Sequence, residues 1–141
     1  MATPDAAARS SVSPGTVRIA VVERCLKPNH AEIRRARAVT RDTMSDLGID
    51  DDHVRAVDAV VDEFMARAVE LGAPDTVRLT IEPFRLLTSV RLRCSQPLST
   101  RDAPFGPRER NLEKLTFTHG TRRNADGTED MWAEVTRPNP T

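Results

Sequence analysis

The residues best suited to chemistry lie on one predicted helix, in the pattern Glu-x-x-x-Arg. Glu63 and Arg67 are four positions apart and Glu70 follows three positions later, so a helix places all three side chains on one face. A carboxylate there can orient or deprotonate a nucleophile, and a guanidinium can bind a phosphate. The same spacing also suits an ordinary i,i+4 ion pair on a solvated surface. The pattern alone leaves both interpretations open.

This helix is predicted over residues 51–72. Asp51 and Asp52 favour the positive end of the helix dipole, and Gly72 is suited to a C-terminal cap. Apolar residues recur at the spacing of a single helical stripe, which indicates a face packed on a core. The stripe consists of Val54, Val57, Val61, Phe64, Met65, Ala68 and Leu71. One face of the helix is therefore expected in the core, and the face of Glu63 is expected beside a site or solvent.

A second helix is predicted before it, over residues 29–47, with Gly48 ending it. Arg34, Arg37 and Arg41 line one flank of this helix. Such a flank is either a solvated surface or a docking stripe for an acidic partner or DNA.

Alternating apolar residues and turn signals predict five strands, over residues 16–23, 77–82, 86–94, 115–122 and 129–136. A Pro-rich loop over 95–107 and a short helix over 108–115 precede the last hairpin, whose turn is residues 124–127. Trp132 is expected to pack at a sheet edge, or to anchor a partner if it is exposed. Hairpins with helices gathered between them predict an α+β fold. The expected form is a two-layer α/β sandwich, with a mixed, mostly antiparallel sheet and helices on one face.

Length and composition indicate a single domain. We expect a disordered tail over residues 1–15, one domain over 16–136 and a frayed tail over 137–141. The 21 basic and 21 acidic residues cancel, so no overall field attracts nucleic acid or an anionic membrane. No apolar run approaches the roughly 20 residues that span a bilayer, and the N-terminus lacks the apolar core of a secretion signal. We therefore expect a cytoplasmic protein without nucleic-acid or membrane partners.

The cysteines and histidines do not form a metal-binding pattern. Cys25 and Cys94 are too few for a disulfide framework, and His30, His53 and His119 lack ligand spacing. We expect Cys94 to be a small buried strand residue, Cys25 to follow a strand as a reduced thiol, and the histidines to have surface or capping roles. No metal site is predicted.

The order and spacing of these motifs resemble the histidine-kinase-like (GHKL) ATPases, in particular the small bacterial anti-sigma-factor serine kinases. The segment E-F-M-A-R-A-V-E-L-G over residues 63–72 is similar to the N-box helix of that family, which has Glu, three residues, Asn, then Ala-Val and a later Gly. The segment D-M-W-A-E-V over residues 130–135 is similar to the end of the bacterial members. The resemblance covers about residues 17–136. It implies a Bergerat-like ATPase fold, a sigma factor or an anti-anti-sigma protein as partner, and a possible homodimer.

The positions that bind nucleotide in that family carry different residues here. Arg67 replaces the Asn whose oxygen helps hold Mg²⁺, and a guanidinium offers donors only. Cys94 stands where the family has the Asp that binds adenine, and no glycine follows before Gly106. Leu112 remains from a Gly-x-Gly-Leu turn, whose glycines are missing from residues 108–111. The resemblance therefore implies a retained fold with a degraded ATP site.

The leading hypothesis is a regulatory protein that is not an enzyme and has no cofactor. By the resemblance, it binds a sigma factor or an anti-anti-sigma protein, with Arg34, Arg37 and Arg41 as partner-binding residues. No catalytic residue is predicted under this hypothesis.

The alternative is an active ATP-binding anti-sigma serine kinase with a divergent pocket. Glu63 would then be the base and Arg67 a phosphate contact, with ATP and Mg²⁺ as cofactors. A third class, a small nucleic-acid-binding regulator, rests on the arginine flank and on Arg122 and Arg123, and the neutral net charge opposes it.

Overall fold

The structure, a computed structural model, describes residue 18 and residues 21–98 and 103–137. The expected N-terminal tail over residues 1–15, residues 16, 17, 19 and 20 of the predicted first strand, and the last four residues of the expected C-terminal tail lie outside the described residues.

The described chain is an α+β two-layer sandwich, as the sequence predicted. Its elements are β1 (Val22–Leu26), α1 (His30–Asp46), α2 (Asp51–Glu70), β2 (Val77–Pro83), β3 (Leu87–Cys94), α3 (Glu109–Leu115), β4 (Thr118–Arg123) and β5 (Glu129–Thr136). A 3₁₀ turn over Gly106–Arg108 leads into α3. None of the described helices is long and apolar enough to cross a membrane.

The five strands form one sheet in the order β1-β2-β3-β5-β4, and each of the described pairs is antiparallel. The expectation of a mixed sheet is therefore wrong for these strands. Because α1 and α2 form a helical hairpin, the chain re-enters the sheet where it left, with Val77 opposite Leu26. β2 must then run antiparallel to β1, while β2–β3 and β4–β5 are hairpins.

The core lies between the helices and one face of the sheet. Val57, Val61 and Phe64 on α2 are fully buried, as their spacing predicted. They face alternate residues of the central strands, among them Val90 and Met131. Since alternate residues of a strand point to opposite faces, the other half of each strand forms the second face of the sheet.

Two glycines end the long helices at the predicted positions. Gly48 (φ 74°) and Gly72 (φ 68°) adopt the left-handed conformation that glycine tolerates. The next N–H in each case bonds back across the last turn, from Ile49 to the Met44 carbonyl and from Ala73 to the Ala68 carbonyl. This is the Schellman arrangement, which satisfies carbonyls that the helix end leaves unpaired.

The first strand differs from its prediction. It covers Val22–Leu26, with Val22 buried and Val21 42% exposed, so Val22 and not Val21 faces the core. Because Val21 and Val22 are both apolar, the sequence does not show which of them faces the core. The pairing of Leu26 with Val77 decides this. Cys25 accordingly lies within β1, exposed, instead of following it.

Trp132 does not lie at a sheet edge. β5 is flanked by β3 and β4, so Trp132 is opposite Arg91 on one side and Gly120 on the other. It is half-buried on the face of the sheet that is turned away from the helices.

Candidate functional site

Glu63 lies on α2 where that helix faces α3. Its side chain is nearly buried, and both carboxylate oxygens are bonded: Arg108 Nη1 donates to Oε2 at 2.9 Å and Asn111 Nδ2 donates to Oε1 at 3.1 Å. The partner of Glu63 is thus Arg108, and the i,i+4 ion pair with Arg67 is not the one formed.

Arg67 is fixed by the loop that enters the 3₁₀ turn. Its Nε donates to the Pro104 carbonyl at 3.0 Å and its Nη2 to the Ala103 carbonyl at 3.3 Å, while Nη1 lies 3.4 Å from Glu70 Oε1. Gly106, at φ 56°, brings its backbone so close that an added Cβ would be 3.1 Å from Arg67 Nη1. The guanidinium therefore joins the loop to α2.

Arg108 contacts two carboxylates of α2. Besides Glu63, it holds Glu70 through Nη2 at 2.7 Å and through Nε at 3.1 Å. The hydrogen bond to Glu70 is the main cause of a raised Arg108 pKa, against the opposing effect of burial, and the bond to Glu63 adds to it. In return, the hydrogen bond from Arg108 lowers the pKa of Glu70.

Arg108 was predicted only as a residue that replaces part of a glycine-containing turn, without a role of its own. The available signal was the pair Glu63 and Glu70, two helical turns apart on one face, because a cation from a facing element can bridge such a pair.

Phe105 fills the space between α2 and the last hairpin. Its ring stacks on Phe64, with centroids 5.7 Å apart and planes at 12°, and meets His119 edge-on at 5.5 Å and 65°. It is 1% exposed, although it lies in a Pro-rich stretch that was predicted to be loop. Phe105 was not among the predicted site residues.

His119 joins α3 to β4. One ring nitrogen contacts Glu109 Oε1 and the other lies 2.9 Å from Thr116 Oγ1. Beside this ring a cavity of about 440 Å³ opens between residues 103–106 and β4. His119 is half-buried in a polar network, so the expected surface or capping role describes it only in part.

His53 contradicts the same expectation more strongly. It is 1% exposed on the buried side of α2, and its Nε2 lies 2.7 Å from Thr88 Oγ1 on β3. Burial, with the nearby positive charge of Arg137, lowers the pKa of His53 to about 4. His30, at the first turn of α1, is exposed as expected.

Cys94 and Leu112 are core residues. Cys94 is 3% exposed at the end of β3, and burial, with the charge of Glu129 as a second cause, raises the pKa of its thiol to about 11. This confirms the prediction of a small buried strand residue. Leu112 is fully buried on α3.

Arg34, Arg37 and Arg41, on the flank of α1, do not make the same contacts. Arg37 donates to both carboxylate oxygens of Asp58 on α2, each at 3.0 Å, and Asp58 is 5% exposed. This hydrogen bond raises the pKa of Arg37. Arg41 lies 3.9 Å from the same carboxylate, whereas Arg34 is exposed. Arg37 therefore helps to pack α1 on α2, whereas Arg34 and Arg41 are both exposed.

These side chains do not fit a magnesium-bound nucleotide. Mg²⁺ requires oxygen ligands, whereas Arg67 has donors only and Glu63 is bonded to Arg108 and Asn111. A protonated thiol at Cys94 is a poor acceptor for an adenine amino group. Within residues 21–98 and 103–137, His, Cys, Asp and Glu do not gather in any group of three or more that could hold a metal ion.

Among solved structures, the chain is similar to the crystal structure of the RsbU and RsbW domains of Rv1364c from Mycobacterium tuberculosis, with a TM-score of 0.64 and 17% sequence identity. The match covers 84% of this chain and 33% of the other, so this chain spans about a third of its neighbour's length. The chain therefore shares its α/β sandwich fold with part of that structure. At this identity the likeness shows the fold alone. No protein-family model matches the sequence, and no curated protein matches it.

Proposed function

We propose that this protein is a cytoplasmic transcriptional regulator of the anti-sigma type, which binds a sigma factor or an anti-anti-sigma protein and does not use ATP. Two observations support the regulatory part. The fold is shared with a structure that contains an RsbW domain, and the motif order of the sequence resembles the anti-sigma serine kinases.

The contacts of Glu63 and Arg67 carry the second part of the proposal. In an active family member these two positions would contact the nucleotide and its metal. Here Glu63 accepts from Arg108 and Asn111, and Arg67 donates to the carbonyls of residues 103 and 104. A nucleotide bound in the family's manner would have to displace these bonds, and each hydrogen bond to a charged group is worth about 1.5–3 kcal/mol.

Thermal unfolding with and without Mg·ATP tests this part. A ligand at 10 mM with a dissociation constant of about 100 μM would stabilise the folded chain by about 2.7 kcal/mol. We expect no shift of the melting temperature at that concentration. A clear shift would overturn the proposal in favour of a divergent kinase, with Glu63 as base and Arg67 as phosphate contact.

A binding assay tests the regulatory part. Sigma factors and anti-anti-sigma proteins from the source organism are titrated with the chain by calorimetry, without nucleotide. We expect one of them to bind, and Arg34→Glu to weaken that binding at least tenfold.

Arg110→Glu, a charge reversal at an exposed position of α3, is the matched control and should leave the affinity unchanged. Arg37 is unsuitable for this test, because its loss would leave the buried Asp58 without its main partner. If no such protein binds, or if both reversals act alike, the proposed partner surface is wrong.

A further inference from the structure

The sheet has an open face, defined as the strand side chains that point away from the helices. Near its centre lies a recess of about 330 Å³, at the lower end of the volumes of ligand pockets. It is lined by five residues of the adjacent strands β3, β5 and β4: Ser89, Arg91, Arg122, Asp130 and Trp132. Their sequence neighbours Val90 and Met131 are buried on the other face, so the lining side chains belong to the open face.

Trp132 forms a fixed wall of the recess. In the register it is opposite Gly120 of β4, and a Cβ added at Gly120 would lie 3.0 Å from Cζ2 and 3.3 Å from Nε1 of the indole. The ring therefore occupies the space that the glycine leaves free, and a side chain at position 120 would displace it. An aromatic ring held in this way offers a flat apolar surface against which another planar group packs.

Arg91 contributes a positive charge to the recess. Within the described residues its half-buried side chain makes no hydrogen bond or ion pair. Thr80, opposite Arg91 on β2, is buried, and its hydroxyl has no hydrogen-bond partner in the described part of the chain. Arg91 thus does not use the acceptor on the neighbouring strand. Because it lines the recess, its donors are available to a ligand there.

The other charges leave the recess positive. Asp130 is 1% exposed, and Arg93 donates to both of its carboxylate oxygens, at 2.7 Å and 3.1 Å. Arg122 is exposed and lies 3.8 Å from the same carboxylate, which is beyond hydrogen-bond distance. Glu134, which also lies on the open face, does not line the recess. The single carboxylate of the lining is therefore satisfied by Arg93, and the charges of Arg91 and Arg122 remain for a ligand.

We propose that this recess binds a small anion that carries a planar ring, with its carboxylate or phosphate group on Arg91 and its ring against Trp132. A guanidinium can hold two oxygens of such a group at once. Arg91 and Arg122 approach the recess from the two sides of β5, so both can contact the anionic group. Ser89, whose hydroxyl makes no hydrogen bond within the described residues, adds a further donor.

The surroundings of the recess favour a small ligand over a macromolecule. Towards β1, Arg78 lies 3.5 Å from Glu23, and Arg18 lies 3.1 Å from Glu82. These charges are neutralised within the chain, so the face offers no extended charged surface beyond the recess. The inference does not depend on the proposed function, because it uses neither α1 nor any nucleotide position.

A fluorescence titration tests the proposal, because Trp132 is the only tryptophan in the sequence and the sequence has no tyrosine. The probes are benzoate and phenyl phosphate, which both have a ring and differ in the anionic group. Benzamide has the ring without the charge, and inorganic phosphate has the charge without the ring. We expect a saturable change of the emission with benzoate, phenyl phosphate or both, with a dissociation constant of about 1 mM or tighter. Benzamide and inorganic phosphate should bind at least tenfold more weakly than the better ring-bearing anion.

Two variants separate the recess from the rest of the open face, with circular dichroism to confirm that each is folded. Arg91→Gln should weaken the binding of the better probe at least tenfold. Arg78→Gln is the matched control, because it removes an arginine of the same face outside the recess and should leave the dissociation constant unchanged.

Three results would overturn the inference. The first is no saturable change with either ring-bearing anion up to about 20 mM, well above the expected dissociation constant. The second is inorganic phosphate or benzamide binding as tightly as the ring-bearing anions. The third is an affinity that Arg91→Gln leaves unchanged or that both variants reduce alike.

Discussion

Arg108 Nη1 lies 2.9 Å from Glu63 Oε2, and the same guanidinium holds Glu70 Oε2 at 2.7 Å. Glu63 and Glu70 are separated by two turns of α2, so a single arginine spans both carboxylates from the facing 3₁₀ turn. The contact fixes the loop and α3 against the helix that supplies the largest part of the core.

Removal of this arginine should destabilise the protein. Arg108→Ala leaves the nearly buried Glu63 carboxylate with Asn111 as its remaining donor, and Glu70 loses its closest cation. We expect the free energy of unfolding to fall by about 2 kcal/mol, since a buried charge that loses its partner is costly. Urea denaturation followed by circular dichroism measures the loss. Arg110→Ala, an exposed arginine on α3, should change stability by less than about 0.5 kcal/mol, and an equal loss for both would contradict the assignment.

Truncation of Phe105 should have the larger effect. The ring is 1% exposed between Phe64 and His119, so Phe105→Ala removes both ring contacts and leaves a cavity. We expect a loss of about 3–5 kcal/mol in the free energy of unfolding, the usual range for a buried phenylalanine. Phe117→Ala is the matched control, because that ring is 74% exposed and its loss should be small. Similar effects of the two variants would show that Phe105 is not buried in solution.

The sequence predicted the parts of the fold in which burial repeats at a fixed period. The predictions of the apolar stripe of α2 and of the alternation of β2 and β3 were correct, because the burial of each position follows from its neighbours on the same element. The inward face of β1 could not be predicted in this way, since Val21 and Val22 are both apolar and the pairing of Leu26 with Val77 on the distant strand β2 decides between them.

The candidate site was harder to predict because its contacts join distant parts of the chain. Glu63 and Arg67 were found from their spacing. Their partners, Arg108 in the 3₁₀ turn and Pro104 in the loop before it, lie in a segment without apolar periodicity. His53 is buried because Thr88, on another element, offers it a hydrogen bond. Such pairings are set by tertiary structure, and the local sequence does not identify the partner residue.

The two cysteines should differ sharply in reactivity. Cys94 is 3% exposed and burial raises the pKa of its thiol to about 11, so at pH 8 it has neither access nor thiolate character. Cys25 is exposed on β1. We expect iodoacetamide to modify Cys25 in the native protein and both cysteines in urea, as measured by peptide mass spectrometry. Rapid native labelling of Cys94 would contradict the burial of the end of β3.

Stability should fall as the pH is lowered from neutral, because of His53. Burial and Arg137 depress the folded-state pKa to about 4, while Asp50 and the Thr136 backbone oppose this without cancelling it. The unfolded ring has a pKa of about 6.5, so between pH 6.5 and 4 the unfolded chain binds a proton that the folded chain does not. The stability contributed by the neutral ring is complete above pH 6.5 and is lost towards pH 4, by up to about 3 kcal/mol. Urea denaturation at half-unit steps from pH 7 to pH 4.5 measures this slope.

A variant without a titrating ring separates His53 from the acidic groups. His53→Gln keeps a hydrogen-bonding side chain near Thr88. The stability of each variant at pH 7 serves as its own reference. The free energy of unfolding of His53→Gln should change far less between pH 7 and 4.5 than that of the original chain. His30→Gln is the control: His30 is exposed, and its replacement should leave the slope unchanged. The carboxylates with lowered pKa, Asp130 and Glu70, lose their contributions as the pH falls from their unfolded pKa values of about 4 towards their lower folded-state values, so most of that loss lies below pH 4.5. A slope that persists in His53→Gln would therefore assign the pH dependence to another group and contradict the buried neutral ring.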